Sequence, residues 1–532
     1  MSADLFPTTR PTPSASRRFP LDLAFLAAIL LLGLINLPQP FGFDQALFAI
    51  GARKMAAGAV LYRDFWDVKQ PAIFVFYLLG GRLFGFSEVG IHLFELLYLL
   101  LFSAALIVTL REAFEHHWGP GLAALLAVGY PYAIVGDWHL TQVEGLAGPP
   151  IYLALWFATR AADPERKGRT SWAWSGVMGG IVLLFKLLFL PIVGSFWLVA
   201  LMARTRRRSR ARVAGAASDI AWLALGILLP LVPVIAYLAF HGLLGTVAWT
   251  FFRYPAEIVG GRGDLRLQVL ADGIAWFFTR WGPLLAPAFL GALIPLGRGR
   301  DPLRLNLALW FVVGLAVIVA QRLSFFQYHF MLLTIPAGVL AVRGLDLLAA
   351  AAERSGLLLE RGAGRAAFLG GLLMLCSWGI GEATTKATLL ARHGFAWTPS
   401  QRVRYQNRVS TYGYGPIRSS VAFLSAPGAR PGPVFVLGDP LVNWLSGRDQ
   451  GVPRHGGILW GHATAEDWAQ WTSDLRVVRP PYIFVQHGFT NAFQLWPDRC
   501  VSFLNLLAQD YTILRRDGVG VWYERRAADG PP

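Results

Sequence analysis

IAWLALGILLPLVPVIAYLAF, residues 220–240, runs for 21 residues without a charged side chain. About 20 apolar residues in a helix span a bilayer's hydrocarbon core, because each adds about 1.5 Å towards roughly 30 Å. Just before it stand Arg204, Arg206, Arg207, Arg208, Arg210 and Arg212, a local charge of +6. An apolar run behind a short arginine-rich loop reads as a membrane span with its basic flank on the cytoplasmic side. The chain repeats this pattern. Hydrophobic residues make up 55% of its 532 positions and charged residues only 15%, with a mean hydropathy of +0.46. Soluble proteins average about 25% charged residues. Length alone would suggest three or four soluble domains; composition points instead to a polytopic α-helical membrane protein.

The net charge is +16, of which +13 lies in residues 1–18, 160–169, 204–212, 298–304 and 343–365. Those segments are the N-terminus and short loops between apolar stretches, so insertion topology accounts for the charge and no nucleic-acid partner is expected. Cys376 and Cys500 make neither a disulfide framework nor a zinc site. Residues 1–18 are polar and Ser/Pro-rich, and no small-residue cleavage site follows, so the first apolar run is expected to be retained.

Spans are predicted near 20–38, 89–110, 119–135, 144–160, 172–187, 188–203, 219–241, 280–297, 305–321, 329–349 and 366–385, eleven in all. Pro191 interrupts the pair within 172–203. Pro71–Phe86 is apolar but short, with Gly80, Gly81 and Arg82 inside it. If it lies along the membrane surface, Arg10, Arg17 and Arg18 fall on the same side as the other arginine-rich loops, which is the arrangement the positive-inside tendency favours. The expected organisation is therefore a cytoplasmic tail (1–19), a membrane domain (20–386) with a long first outer loop (39–88), and an extracytoplasmic α/β domain (395–532), in the cytoplasmic membrane. The α/β reading rests on short β-rich runs at Pro433–Leu437 and Tyr482–Gln486, a helix at Ser502–Gln509, and strands at Tyr511–Leu514 and Val519–Tyr523. There is no internal repeat, P-loop or dinucleotide fingerprint. The Ala/Gly/Arg-rich composition is that of a high-GC bacterium.

Outer loops in this topology are longer than inner ones and hold acids and aromatics, which marks the outer face as the working face. Residues 44–57 form an amphipathic helix with Phe48, Ala52 and Met55 on one face. Its first residue, Asp44, is either an N-cap or a catalytic acid or base. Lys186, at the outer end of an apolar helix, either snorkels to the interface or pairs with a phosphate or an acid. His92 and Glu95, three apart on one helix, are placed to satisfy each other. Arg322, Gln327, Tyr328 and His329 flank the outer end of a late span; an interfacial aromatic belt and a ligand site are both open there. Trp66 and Trp138 are candidates for stacking on a sugar.

The order of elements carries a resemblance. Asp44 after the first span is followed by an amphipathic helix, then Gly58-Ala59-Val60-Leu61-Tyr62-Arg63-Asp64, Asp67-Val68-Lys69-Gln70-Pro71, a short apolar helix, and Phe84-Gly85-Phe86-Ser87. Over about residues 20–200 this resembles the GT-C membrane glycosyltransferases, in particular the protein O-mannosyltransferases and lipid A aminoarabinose transferases. The Gly136–Glu144 loop, Gly179-Gly180…Lys186 and Ser324–Pro336 extend the likeness. The resemblance implies a GT-C fold and transfer of a sugar from a polyprenyl-phosphate carrier to a glycan, lipid or protein of the cell envelope, on the extracytoplasmic face. It implies Asp44 as base and Lys69 as a phosphate contact. Tyr62, Asp64, Asp67, Asp137, Glu144, Lys186, Arg322, Gln327, Tyr328 and His329 are the further substrate-binding candidates. Two features depart from the family pattern: Lys69-Gln70-Pro71 stands for Lys-Pro-Pro, and Asp44-Gln45 for two adjacent acids. No organic cofactor is implied. A divalent cation is left open, with Asp137 and Glu144 as the residues that would complete its site. The rival readings are a flippase or transporter of lipid-linked glycans, against which the lack of duplicated halves speaks, and an inactive envelope-assembly relative.

Overall fold

The computed structural model describes residues 15–163, 168–205, 212–260, 267–294, 302–321, 326–354, 362–457, 463–495 and 497–527. Helix α1 (Ala15–Asn36) leads through a short loop to α2 (Phe43–Ala56), α3 (Pro71–Phe84) and α4 (Glu88–Leu110). The expected apolar stretches fall mostly in helix where they are described, with a break at Lys186 and with 295–297 outside the described residues. Among the described residues five helices are long and apolar enough to cross a membrane: Glu88–Leu110, Leu187–Arg204, Gly215–Phe240, Pro302–Ala320 and Gln327–Arg354. Gln327–Arg354 is buried along most of its length, whereas Gly215–Phe240 leaves Leu225, Leu229 and Val232 on the surface, as a lipid-facing helix does. This is a multi-pass membrane protein. α3 spans 14 residues, about 21 Å at 1.5 Å each, which is short of a bilayer core.

Without a hydrophobic drive between helices in lipid, close packing depends on small residues. Arg169–Phe185 and Arg212–Phe240 meet through Gly176, Gly180 and Gly226, where an added Cβ would strike the facing backbone. Gly291 and Gly344 do the same for Leu267–Leu293 against Thr334–Arg354.

Among the described residues the C-terminal region holds a four-stranded sheet. Its strands are β1 (Val434–Leu437), β2 (Tyr482–Gln486), β3 (Tyr511–Arg516) and β4 (Gly520–Arg525), in the order β1-β2-β4-β3. β1 and β2 are parallel, with Val434 opposite Tyr482, and their apolar runs are buried as parallel strands require. The crossover between them carries the helix Ala465–Val478, capped by Thr464 and Asp467. The sheet region rests on the loops that precede α2 and α4. Tyr414 Oη accepts the Phe41 amide at 2.7 Å, and both Tyr414 Oη and Trp444 Nε1 donate to Glu88 at 3.1 and 2.9 Å. Trp66 donates its amide to the Pro453 carbonyl at 2.9 Å and its indole to Thr250 at 3.0 Å, under the Arg454 guanidinium. Trp66 therefore anchors this interface and is not available to stack on a sugar.

Several expectations change. α2 is not an interfacial amphipathic helix: Gln45 through Ala52 are all buried, because the C-terminal region covers the side that would face solvent. Asp44 is not its cap. Gly42 caps the helix, its amide donating to Gln45 Oε1, and Asp44 stands one residue inside the first turn. His92 and Glu95 do not satisfy each other; His92 Nδ1 meets the Leu37 carbonyl at 3.2 Å, and Glu95 accepts the Thr141 amide at 2.7 Å.

Candidate active site

Asp44 projects from the first turn of α2 towards two groups from distant parts of the chain. Tyr328 Oη donates to Asp44 Oδ2 at 3.0 Å, and Lys69 Nζ stands 3.7 Å from the same oxygen. Asp44 Oδ1 has no hydrogen bond among the described residues. The Asp44 and Lys69 side chains are each about one-fifth exposed, so the pair is accessible yet largely shielded from water.

The loop between α2 and α3 aims Lys69. Tyr62, at φ +71°, donates its buried hydroxyl to the Lys69 carbonyl at 2.8 Å. Asp67 Oδ1 accepts the Lys69 amide at 2.9 Å. Pro71 then opens α3 at its first position, where a missing N–H costs nothing. Burial opposes the charge of Lys69, but the carboxylates of Asp44, Glu144 and Asp67 outweigh it and hold the ammonium above its ordinary lysine value. Burial pushes the Asp67 carboxyl up to about 7. Burial likewise pushes the Tyr62 phenol up, so it stays a donor.

A second cluster adjoins the first. The backbone breaks at Lys186, extended between Arg169–Phe185 and Leu187–Phe189, which turns its side chain inward. Nζ meets Glu144 Oε1 at 2.7 Å and Gln321 Oε1 at 2.8 Å. His329 Nε2 lies 3.7 Å from the same Glu144 oxygen. Of the two earlier readings of Lys186, acid pairing is the one observed, and snorkelling fails.

Other candidates fall elsewhere. Asp64 turns out to solvent, bonded by Arg63 at 2.9 Å and by the Val60 amide at 2.8 Å; the Arg63 bond helps hold it down to about 2. It closes a turn and stays out of the cluster. Asp137 is taken up by structure: the Thr411 amide and hydroxyl reach it at 2.8 and 2.7 Å, and the Trp138 amide at 3.0 Å. Glu144 is likewise occupied by Lys186 and His329. Neither joins Asp44 as a cation ligand, and among the described residues no three of His, Cys, Asp or Glu are grouped to hold a metal ion. The Gln327 side chain makes no hydrogen bond among the described residues, and Arg322 lies outside them.

Aromatic rings enclose Asp44. Trp138 stands edge-on to Tyr328 at 5.7 Å, with Phe326 and Tyr412 each 6.1 Å away. Sequence reasoning missed Gln321 and the Thr411–Tyr412 segment; the only local signal was an aromatic–glycine alternation, Tyr412-Gly413-Tyr414-Gly415.

Residues 69–237 match the family model described as dolichyl-phosphate-mannose-protein mannosyltransferase. In structure the chain is similar to ArnT from Cupriavidus metallidurans bound to undecaprenyl phosphate. The TM-score is 0.56 at 16% identity, over 98% of this chain and 100% of that one. The chain has the GT-C fold. Its resemblance to the GT-C membrane glycosyltransferases therefore stands in both sequence and structure. ArnT in the apo state gives the same figures. The archaeal oligosaccharyltransferase AglB from Archaeoglobus fulgidus, in complex with an inhibitory peptide and a dolichol-phosphate, gives a TM-score of 0.46 at 12% identity, over 97% of this chain and 75% of that one. No curated protein matches the chain by sequence. The family model begins at Lys69 and leaves α2 with Asp44 outside its reach, so Asp44 stands on geometry.

Proposed function

We propose that this chain is an inverting glycosyltransferase that moves a sugar from a polyprenyl-phosphate carrier to an acceptor hydroxyl of the cell envelope, at the outer face of the cytoplasmic membrane. The observation that carries the reading is the meeting of Asp44, Lys69 and Tyr328 at one partly open point beside a buried Lys186–Glu144–His329 cluster. Such a reaction needs a carboxylate and a cation in one place. The acceptor hydroxyl attacks the anomeric carbon, its proton passing to Asp44 as the new C–O bond forms. The bond from that carbon to the phosphate oxygen breaks on the opposite face. Charge gathers on the leaving phosphate, where Lys69 neutralises it without donating a proton. Tyr328 holds the Asp44 oxygen in position. The ArnT structure with undecaprenyl phosphate bound supports a carrier of this kind for the shared fold.

The test is donor consumption. Protein in nanodiscs, given a panel of undecaprenyl-phosphate-linked sugars together with cell-envelope extract as the source of acceptor, should release undecaprenyl phosphate from at least one. Lys69→Ala should lower turnover as well as donor affinity, because the interaction strengthens in the transition state. A Lys69→Ala protein that loses affinity alone, or a wild type that consumes no donor, overturns the assignment.

A further inference from the structure

We propose that the C-terminal region supplies an acceptor subsite, and that this subsite takes a neutral saccharide between the Tyr412 ring and the Asp439 carboxylate. The inference rests on the glycosyl-transfer reading above and goes on to name the acceptor class.

Tyr412 is fixed with care. Asp137 accepts the amide and hydroxyl of Thr411, and Gly413 follows in the left-handed region at φ +73°. This places the Tyr412 ring over Gly42, where an added Cβ would come 2.8 Å from Trp138 Cβ and 3.1 Å from Tyr412 Cε2. Gly42 lies two residues before Asp44. Tyr412 is half-buried, and its hydroxyl has no partner among the described residues. Burial, reinforced by the charges of Asp44, Asp439 and Asp137, pushes the phenol up, so the hydroxyl remains a donor.

Asp439 comes just after β1, at the carboxyl end of the two parallel strands, where open α/β sheets commonly take ligands. It is 5% exposed. Its Oδ1 accepts the Leu441 amide at 2.9 Å, and its own amide donates to Gln486 Oε1 at 2.7 Å. The second carboxylate oxygen has no partner among the described residues and is not sealed off, which leaves it open to a ligand's hydroxyl. Gly457 is wedged between the Gly438 carbonyl and the Phe43 ring, so the residues that follow those two, Asp439 and Asp44, sit across one narrow interface.

Position decides the role. Lys69 and Tyr328 both occupy Asp44 Oδ2, which leaves Oδ1 for the incoming hydroxyl. The cations Lys69 and Lys186 belong to the membrane-domain side; Tyr412 and Asp439 belong to the C-terminal side. Displacement with inversion needs acceptor and leaving phosphate on opposite faces of the sugar. The chemistry selects the acceptor class. An aromatic face accepts the C–H surface of a pyranose, and the Asp439 oxygen that Leu441 leaves open accepts a hydroxyl of the same sugar. A phosphorylated acceptor would bring further negative charge beside Asp44, whereas burial raises the Asp439 carboxyl to about 7 and suits it to neutral hydroxyls.

The test uses the full chain in nanodiscs on an array of immobilised neutral saccharides, with undecaprenyl phosphate binding measured in parallel by tryptophan fluorescence. Wild type should retain a subset of glycans. Tyr412→Ala and Asp439→Asn should each weaken retention about tenfold or more, with undecaprenyl phosphate binding unchanged. Tyr412→Phe keeps the ring and should retain glycans within about threefold, which guards against misfolding of the alanine variant. Glycan retention that survives both Tyr412→Ala and Asp439→Asn overturns the subsite. So does a wild type that consumes donor but retains no saccharide, whether it then captures a peptide or a phosphorylated lipid; that result leaves the transferase reading intact. A wild type that neither binds undecaprenyl phosphate nor consumes donor sinks both.

Discussion

Replacing Asp44 by Asn separates chemistry from architecture better than any other change in the site. Asn has nearly the same shape, can still accept from Tyr328, and leaves the helix cap at Gly42 untouched. It removes the charge facing Lys69 at 3.7 Å. At an effective dielectric of about 20, that attraction is roughly 4–5 kcal/mol before desolvation is subtracted. Lys69 keeps the fields of Glu144 and Asp67, and dehydrating a carboxylate no longer weighs against folding. The net loss of stability should be only about 1–2 kcal/mol. Turnover should fall far more, by about 10²–10⁴, the usual worth of a general base, which is roughly 3–5 kcal/mol on the barrier. The assay is the initial rate of donor consumption in nanodiscs, with melting followed by intrinsic fluorescence and undecaprenyl phosphate binding measured alongside. A variant that binds the carrier, melts within a few degrees of wild type and turns over within about tenfold of it would refute the base assignment. Asp44 would then be only the partner that keeps Lys69 folded in.

Two further outcomes are expected. Glu144→Gln leaves the Lys186 ammonium and His329 without their shared carboxylate in a nearly sealed setting. Breaking a buried pair from one side costs about 3–5 kcal/mol, so yield and melting temperature should drop, and adding Lys186→Met should recover part of the loss. Strictly additive losses in that double-mutant cycle would mean that the pair is not coupled. The pH dependence has a defined sign. Burial raises Asp67 from the ordinary 3.8 to about 7, so the folded protein keeps a proton that the unfolded chain has released. Stability is therefore lost as pH rises through that window. Asp67→Asn should melt like wild type near about pH 4 and above it near about pH 8; a difference that fails to grow with pH would contradict the buried, proton-holding Asp67.

What the sequence made legible follows distance along the chain. The apolar runs, the arginine loops and the strands at 434–437 and 482–486 were readable because each depends on consecutive residues and a fixed period. Lys69 was readable from its motif, and Tyr328 and His329 from their place at the start of a span. Partner choice was not. Asp64 looked like a ligand in its motif, yet its neighbour Arg63 holds it outward. Asp137 looked like a metal ligand beside Glu144, yet it clamps Thr411, 274 positions away. The Arg63 bond is local but competes with the motif reading, whereas nothing within a window around Asp137 encodes Thr411; only the C-terminal region folding back over α2 supplies that partner.

Partners brought from distant parts of the chain also balance the charges of the site. Two ammonium groups this close would repel and resist burial if they stood alone. Here Lys69 faces Asp44, and Lys186 faces Glu144, so the cluster by itself is close to charge balance. On the proposed reading, an arriving phosphate competes with Asp44 for Lys69. The carboxylate that stabilised the cation in the free protein is then released to take the acceptor proton. The carboxylate of the second pair differs in degree of enclosure: Glu144 is 2% exposed, against about one-fifth for Asp44. An exchange of partners is accordingly confined to the pair that substrate can reach, while Lys186 and Glu144 persist as a fixed positive-to-negative framework behind it. One ion pair is built to open and the other to stay closed.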